Sequence, residues 1–125
     1  MKVVLTIAAI SGLLAVILGA FGAHGLKTII SPEMLEVYKT GVQYQFYHTF
    51  ALLAVGILMN FNQSKALNWS AYLFMTGIIL FSGSLYFLAI SGVEVLGIIT
   101  PFGGITFIAA WILLFVHCRQ LRYSK

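Results

Sequence analysis

Residues 41–60 read GVQYQFYHTFALLAVGILMN. The first half of this stretch, GVQYQFYHTF, holds two glutamines, two tyrosines and a histidine, and the second half is almost wholly apolar. Such a beginning is unusual for a membrane span, and how it is read decides the fold. If a helix carries those polar groups into lipid, they need partners inside the protein, and the stretch marks where any activity sits.

The surrounding composition settles the solvent. The chain has 125 residues, 61% of them hydrophobic and 8% charged, with a mean hydropathy of +1.02. A soluble domain usually carries about 25% charged residues. The polar surface that would face water is missing, so lipid is the main solvent, and the length suits one domain. The net charge of +4 is small and forms no cluster able to track phosphates, which excludes a nucleic-acid partner.

The charges are Lys2, Lys27, Glu33, Glu36, Lys39, Lys65, Glu94, Arg119, Arg122 and Lys125. Between them lie uncharged runs at residues 3–26, 40–64, 66–93 and 95–118. Each supplies the roughly 20 apolar residues that cross about 30 Å of hydrocarbon. The expected fold is therefore all-α, a four-helix transmembrane bundle with an outer amphipathic helix continuous with the second span. The expected spans are residues 3–24, 42–60, 67–90 and 100–118, with the amphipathic segment at 32–41. The first run has Lys2 before it and GAFGA within it, but its apolar part is too long for a typical signal peptide and reads as an uncleaved span. Cys118 is the single cysteine, so no intramolecular disulfide is possible, and its setting is that of an ordinary helix residue.

Punctuation supports these boundaries. Gly25 is a natural stop after His24. Ser31, Pro32, Glu33 and Glu36 form a helix start, with a cap, a first-turn proline and acids at the positive end. NFNQSK is a polar turn, SGVEVLG a tight loop, and Thr100–Pro101 repeats the cap-plus-proline start. The positive-inside rule then orients the bundle. Lys2, Lys65, Arg119, Arg122 and Lys125 fall on one face, against Lys27 and Lys39 with all three glutamates on the other. Both termini are expected in the cytoplasm, in a bacterial plasma membrane. Trp69 and Tyr72 suit the aromatic belt at the inner edge.

On this topology the polar and glycine-rich parts of all four spans collect toward the outer face. His24 ends the first span, residues 41–50 open the second, Ser82, Ser84 and Tyr86 lie on the third, and Thr100, Gly103 and Gly104 begin the fourth. Tyr38, Gly41, Gln45 and His48 follow helical spacings of three, four and three and form one stripe, with Gln43 and Tyr47 on an adjacent face. A polar stripe in a membrane faces protein or water. Two readings are open: an interhelical hydrogen-bond network, or a ligand or ion site. The candidate pocket comprises His24, Tyr38, Gln43, Gln45, His48, Tyr86 and Thr100. A neutral imidazole at His48 needs partners, expected from the first or third span. His24 either donates to the last carbonyls of its own helix or serves as a ligand, and His117 reads as an interfacial residue. His24, His48 and Glu94 offer a metal-type donor set but lack any metal-binding spacing, so neither metal nor cofactor is expected. Ser11, Ala15, Gly19 and Ala23 recur every four residues as a small-residue face, for packing in the bundle or against a second copy, and Gly103 and Gly104 admit a close neighbour.

GAFGAHGL, YKTGVQYQFYHTFALL, GSLYFLAI and TPFGG, in that order along nearly the whole chain, resemble the signature blocks of the small membrane-protein family catalogued as domain of unknown function 423. That family includes transmembrane protein 256-like proteins. The resemblance implies a polytopic membrane protein and brings no activity, cofactor or catalytic residue with it. The expected function is non-enzymatic: an outer-leaflet polar pocket binding a lipid-like or quinone-like amphiphile, or a partner subunit. An oligomeric transporter or channel component is the alternative, and the lack of paired intramembrane carboxylates and of any cofactor motif disfavours an enzyme. The expected partners are the lipid bilayer and a homo-oligomer or another membrane protein.

Overall fold

The computed structural model describes residues 1–121. Arg122 and Lys125, counted above toward orientation, lie outside them. The described chain is all-helical and folds as a four-helix bundle: α1 (Lys2–His24), α2 (Pro32–Phe61), α3 (Lys65–Ser91) and α4 (Ile99–Gln120). A short 3₁₀ turn, Glu94–Ile98, leads into α4. α1, α3 and the Glu94–Gln120 segment are long and apolar enough to span a membrane. α2 is less apolar because of the polar residues in its first half; Glu33, Glu36, Lys39 and Gln43 are exposed, while Tyr38 and Gln45 are buried.

α2 starts as the sequence implies. The Ser31 hydroxyl accepts the Met34 N–H at 3.2 Å, and Pro32 follows in the first turn, where its missing N–H costs nothing. With no breaker before Phe61, the amphipathic segment and the span are one helix of 30 residues. Ser64 caps α3 in the same way, accepting from Leu67 at 3.1 Å. Two starts and stops differ from expectation. Gly25 is right-handed at φ −85°, so the end of α1 does not use glycine's freedom; Gly92, at φ 70°, is the left-handed residue that closes α3. α4 begins at Ile99 out of the 3₁₀ turn, and the Thr100 hydroxyl bonds Ser84 at 2.6 Å and does not cap α4.

α1 lies along α2, α3 along α4, and α2 against α3 joins the two pairs. The face of α1 turned to α2 is Val4, Ala8, Ser11, Ala15 and Gly22. A strict spacing of four drifts about 40° per step around a helix, which is why Ala23, three steps from Ser11, is exposed and Gly22 takes its place. Between α3 and α4 the backbones approach closely at Gly103, where a Cβ would lie 2.5 Å from the Phe81 backbone nitrogen. A Cβ at Gly104 would make only ordinary contact, 3.9 Å from the Phe81 ring. Ser70 ties the same pair together, donating to the Ala110 carbonyl at 2.9 Å. The larger part of the apolar core is a cluster that includes Leu52, Val55, Leu67, Phe74 and Phe107.

α3 carries one irregularity. At Ile78–Ser82 it widens into a π turn, with the Gly83 N–H reaching the Ile78 carbonyl five residues back. The extra residue rotates everything after it relative to a regular α-helix. As a result Ser82 and Tyr86 meet α2 while Ser84 meets α4.

Candidate functional site

The polar stripe of α2 turns inward. Gln45 is 4% exposed and His48 is 6% exposed, with Tyr38, Gly41 and Thr49 buried beside them. Gln45 links three helices. Its Nε2 donates to the Ser11 carbonyl of α1 at 3.0 Å, and its Oε1 accepts the Tyr86 hydroxyl of α3 at 2.5 Å. Next to it the Ser11 and Thr49 hydroxyls pair at 2.6 Å. One turn nearer the start of α2, Ser82 donates to the Gly41 carbonyl at 2.7 Å. Above that, the Tyr38 hydroxyl donates to the Leu18 carbonyl at 2.6 Å.

Two glycines make room for this arrangement. Gly22 lies flat against the Tyr38 ring, and Gly41 against the Tyr86 ring; a Cβ at either position would overlap the tyrosine. The two rings then meet at 5.2 Å between centroids, tilted by 47°. Most of these groups therefore hydrogen-bond each other, as polar groups in hydrocarbon must.

His48 behaves differently from expectation. Its Nδ1 bonds the Tyr44 carbonyl of its own helix at 2.7 Å, not a group of α1 or α3. A carbonyl only accepts, so Nδ1 carries the proton and Nε2 is left with its lone pair. The ring stacks on Phe107 of α4 at 3.5 Å and 8°, with Tyr44, Phe74 and Trp111 around it. The helix supplies the imidazole's partner four residues back, and the aromatic side chains supply its packing.

The other candidate residues are not gathered here. His24 is exposed at the end of α1. Ser11 is the α1 residue level with Gln45, thirteen residues before His24, so the histidine lies about 20 Å further along the axis. His24, His48 and Glu94 therefore form no donor set: the first and last are exposed and the second is enclosed in aromatic rings. Gln43 is exposed, and with Gly19, Gly22, Ala23, Tyr38, Lys39 and Val42 it lines a shallow groove of about 210 Å³ between α1 and α2. Thr100 belongs to the α3–α4 contact through Ser84. The polar layer built on Gln45 thus lies near the middle of the bundle rather than at the end that His24 and Glu94 mark.

A larger groove of about 270 Å³ runs between α1 and α3. Ile7, Ile10, Leu14, Met75, Ile78 and Ile79 form its walls, and Ser11 and Gln45 lie at its base. Sequence reasoning missed this feature because α1 and α3 are not neighbours in sequence and their separation depends on both packing against α2. It also placed His117 at the interface. The structure buries it at 2% exposure, with Nδ1 at 2.7 Å from the Ser64 hydroxyl.

Four helices with lipid-facing apolar surfaces and polar side chains paired inside define a small polytopic integral membrane protein. The chain belongs to the family described as Protein of unknown function (DUF423), whose model matches residues 18–104. It is 46% identical over 117 residues to UPF0382 membrane protein YwdK of Bacillus subtilis (strain 168), covering 93% of this chain and 95% of that protein. It is 45% identical to UPF0382 membrane protein SAB0533 of Staphylococcus aureus (strain bovine RF122 / ET3-1), covering 93% and 94%. With UPF0382 inner membrane protein YgdD of Escherichia coli (strain K12) the identity is 40%, covering 97% and 92%. No solved structure matches the chain.

Proposed function

We propose that this protein is a non-enzymatic binding protein of the bilayer, and that the groove between α1 and α3 holds the hydrocarbon part of an amphiphile. The observation that carries the reading is the groove itself. Its walls are aliphatic and continuous with the lipid-facing surface through Ile10, Leu14 and Ile79, and its base offers one fixed amide at Gln45. Gln45 uses one amide hydrogen on the Ser11 carbonyl and has a second, held only by a 3.4 Å contact to the Ser11 hydroxyl. A ligand carbonyl or hydroxyl in the groove would accept that hydrogen. Transport is less well supported, because the core beside the polar layer closes with Leu52, Val55, Phe74 and Phe107 and offers no continuous polar path.

The proposed setting is a bacterial plasma membrane with both termini in the cytoplasm. Lys2, Lys65 and Arg119 belong to one end of the bundle, where Ser64 meets His117, and Lys27, Lys39 and the glutamates to the other. The name of the Escherichia coli relative, an inner membrane protein, agrees with that setting. Single cysteines placed at Lys2 and Lys27 test the orientation: labelling of the Lys2 position from outside intact cells would overturn it.

Native mass spectrometry from lipid nanodiscs tests the groove. The wild type should keep an amphiphile through mild delipidation, and Ile10→Trp, which fills the groove without touching Gln45, should lose it. Equal retention by both proteins, or none by the wild type, would sink the reading.

A further inference from the structure

At the opposite end of the bundle from Tyr38, a second cavity of about 200 Å³ is lined by Asn62, Gln63, Ser64, His117 and Gln120. Every one of these side chains is polar, in a chain that is otherwise mostly apolar, and none takes part in the Gln45 layer. His117 is almost fully buried, and its Nε2 has no hydrogen-bond partner among the described residues. A buried ring nitrogen of this kind needs a partner.

The Ser64 hydroxyl bears on what kind of partner fits. Ser64 Oγ already accepts the Leu67 N–H at 3.1 Å as the cap of α3, and it lies 2.7 Å from His117 Nδ1. In the tautomer in which the Ser64 hydroxyl donates to Nδ1, the ring N–H sits on Nε2, which then acts as a donor. Gln63 spends one amide hydrogen on the Met59 carbonyl at 3.0 Å and keeps another. The amides of Asn62 and Gln120 add further donors.

Helix dipoles do not fix the sign of the charge that fits, because α3 begins here while α2 and α4 end here. The formal charges do. Lys65 follows Ser64 directly, Arg119 lies between His117 and Gln120, and Glu33, Glu36 and Glu94 all belong to the other end. A cavity whose amides can turn their N–H groups inward, with Lys65 and Arg119 next in sequence to its lining and no glutamate at this end among the described residues, matches an oxyanion.

We propose that this cavity binds a phosphate oxyanion, with His117 Nε2–H as the buried donor and the amides of Asn62, Gln63 and Gln120 around it. The phosphate comes either from a phospholipid headgroup at that membrane surface or from the aqueous phase. The site is independent of the amphiphile groove and shares no residue with it.

The test follows the His117 ring by nitrogen-15 NMR, with histidine-labelled full-length protein in maltoside micelles, which contain no phosphate. Sodium phosphate is titrated against sodium chloride at matched ionic strength, and a parallel sample is placed in phosphatidylglycerol nanodiscs. A saturable shift of Nε2 with phosphate supports the site and assigns it to a free anion. A shift in phosphatidylglycerol alone supports the site and assigns it to a lipid headgroup. Gln120→Leu, at an exposed position that should not disturb folding, should weaken the response about tenfold, the worth of one hydrogen bond to a charged group. No shift with either probe, or a shift with zinc chloride alone, would overturn the proposal. The wild-type titration decides the matter even if His117 variants fail to fold.

Discussion

Replacing Gln45 by Met tests whether the mid-bundle layer holds the helices together. Methionine keeps the length and flexibility of glutamine but cannot hydrogen-bond the same partners. The change removes the bond to the Ser11 carbonyl at 3.0 Å and the one from the Tyr86 hydroxyl at 2.5 Å. Interhelical hydrogen bonds in a bilayer are each worth about 0.6 kcal/mol on average and about 1.7 kcal/mol at most, so the two account for about 1–3 kcal/mol. A second cost falls on Tyr86. Its ring is held between Gly41 and Tyr38, so its hydroxyl cannot turn toward water and is left without an acceptor. An orphaned buried hydroxyl costs about 1–3 kcal/mol more. Gln45→Met should therefore destabilise the bundle by about 2–6 kcal/mol. Tyr86→Phe alone should cost less, because it removes one bond and leaves Gln45 its contact with Ser11. The informative measurement is the double variant. With both partners apolar no group is orphaned, so its cost should fall below the sum of the single costs by about 1–2 kcal/mol. Reversible unfolding by steric trapping in bicelles gives all three values. Additivity within about 0.3 kcal/mol, or a Gln45→Met protein as stable as the wild type, would refute the reasoning.

The other expectations concern backbone geometry. Gly103→Ala forces a Cβ to within 2.5 Å of the Phe81 nitrogen and should cost about 1–3 kcal/mol by spreading α3 from α4, whereas Gly104→Ala, whose nearest neighbour is 3.9 Å away, should be neutral or up to about 1 kcal/mol stabilising in the same unfolding assay. Gly92→Ala places a side chain at φ 70° and should cost about 1 kcal/mol, with the loss absent for Gly83→Ala, which sits in open space with helical dihedrals. Ser31→Ala removes the cap of α2 and should cost about 1 kcal/mol, read as faster hydrogen exchange confined to the first turns after Pro32.

The fold was legible because charge and punctuation carry it. Runs without charge set the helices, and Ser31–Pro32 sets the start of α2; both are local signals that no tertiary contact overrides. The phase of α3 was not legible. A regular helix through residues 65–91 would send Tyr86 in a different direction, and only the extra residue at Ile78–Ser82 turns it toward Gln45. Nothing in IILFS announces a π turn; within it Phe81 backs onto Gly103 and Ser82 donates to the Gly41 carbonyl, both contacts distant in sequence.

Depth was the harder quantity. Counting from charged ends places His24 and His48 together, since each follows the outer boundary of its span. That count assumes each helix meets the membrane at its first uncharged residue. α2 does not, because its amphipathic turns already pack Tyr38 against Gly22, so the helix is well into the bundle before the uncharged run begins. Gln45 and His48 are thereby carried past the end that His24 marks and level with Ser11, where both are buried. The same displacement explains why His48 takes its bond from Tyr44 and its packing from Phe107: at that depth α1 presents Ser11 and Ala15, which are too short to reach an imidazole, while α4 presents a ring. A polar stripe read from spacing alone gives the right face of α2. The level at which that face acts is set by the glycine sockets at positions 22 and 41, which fix how far α2 slides along α1 and α3.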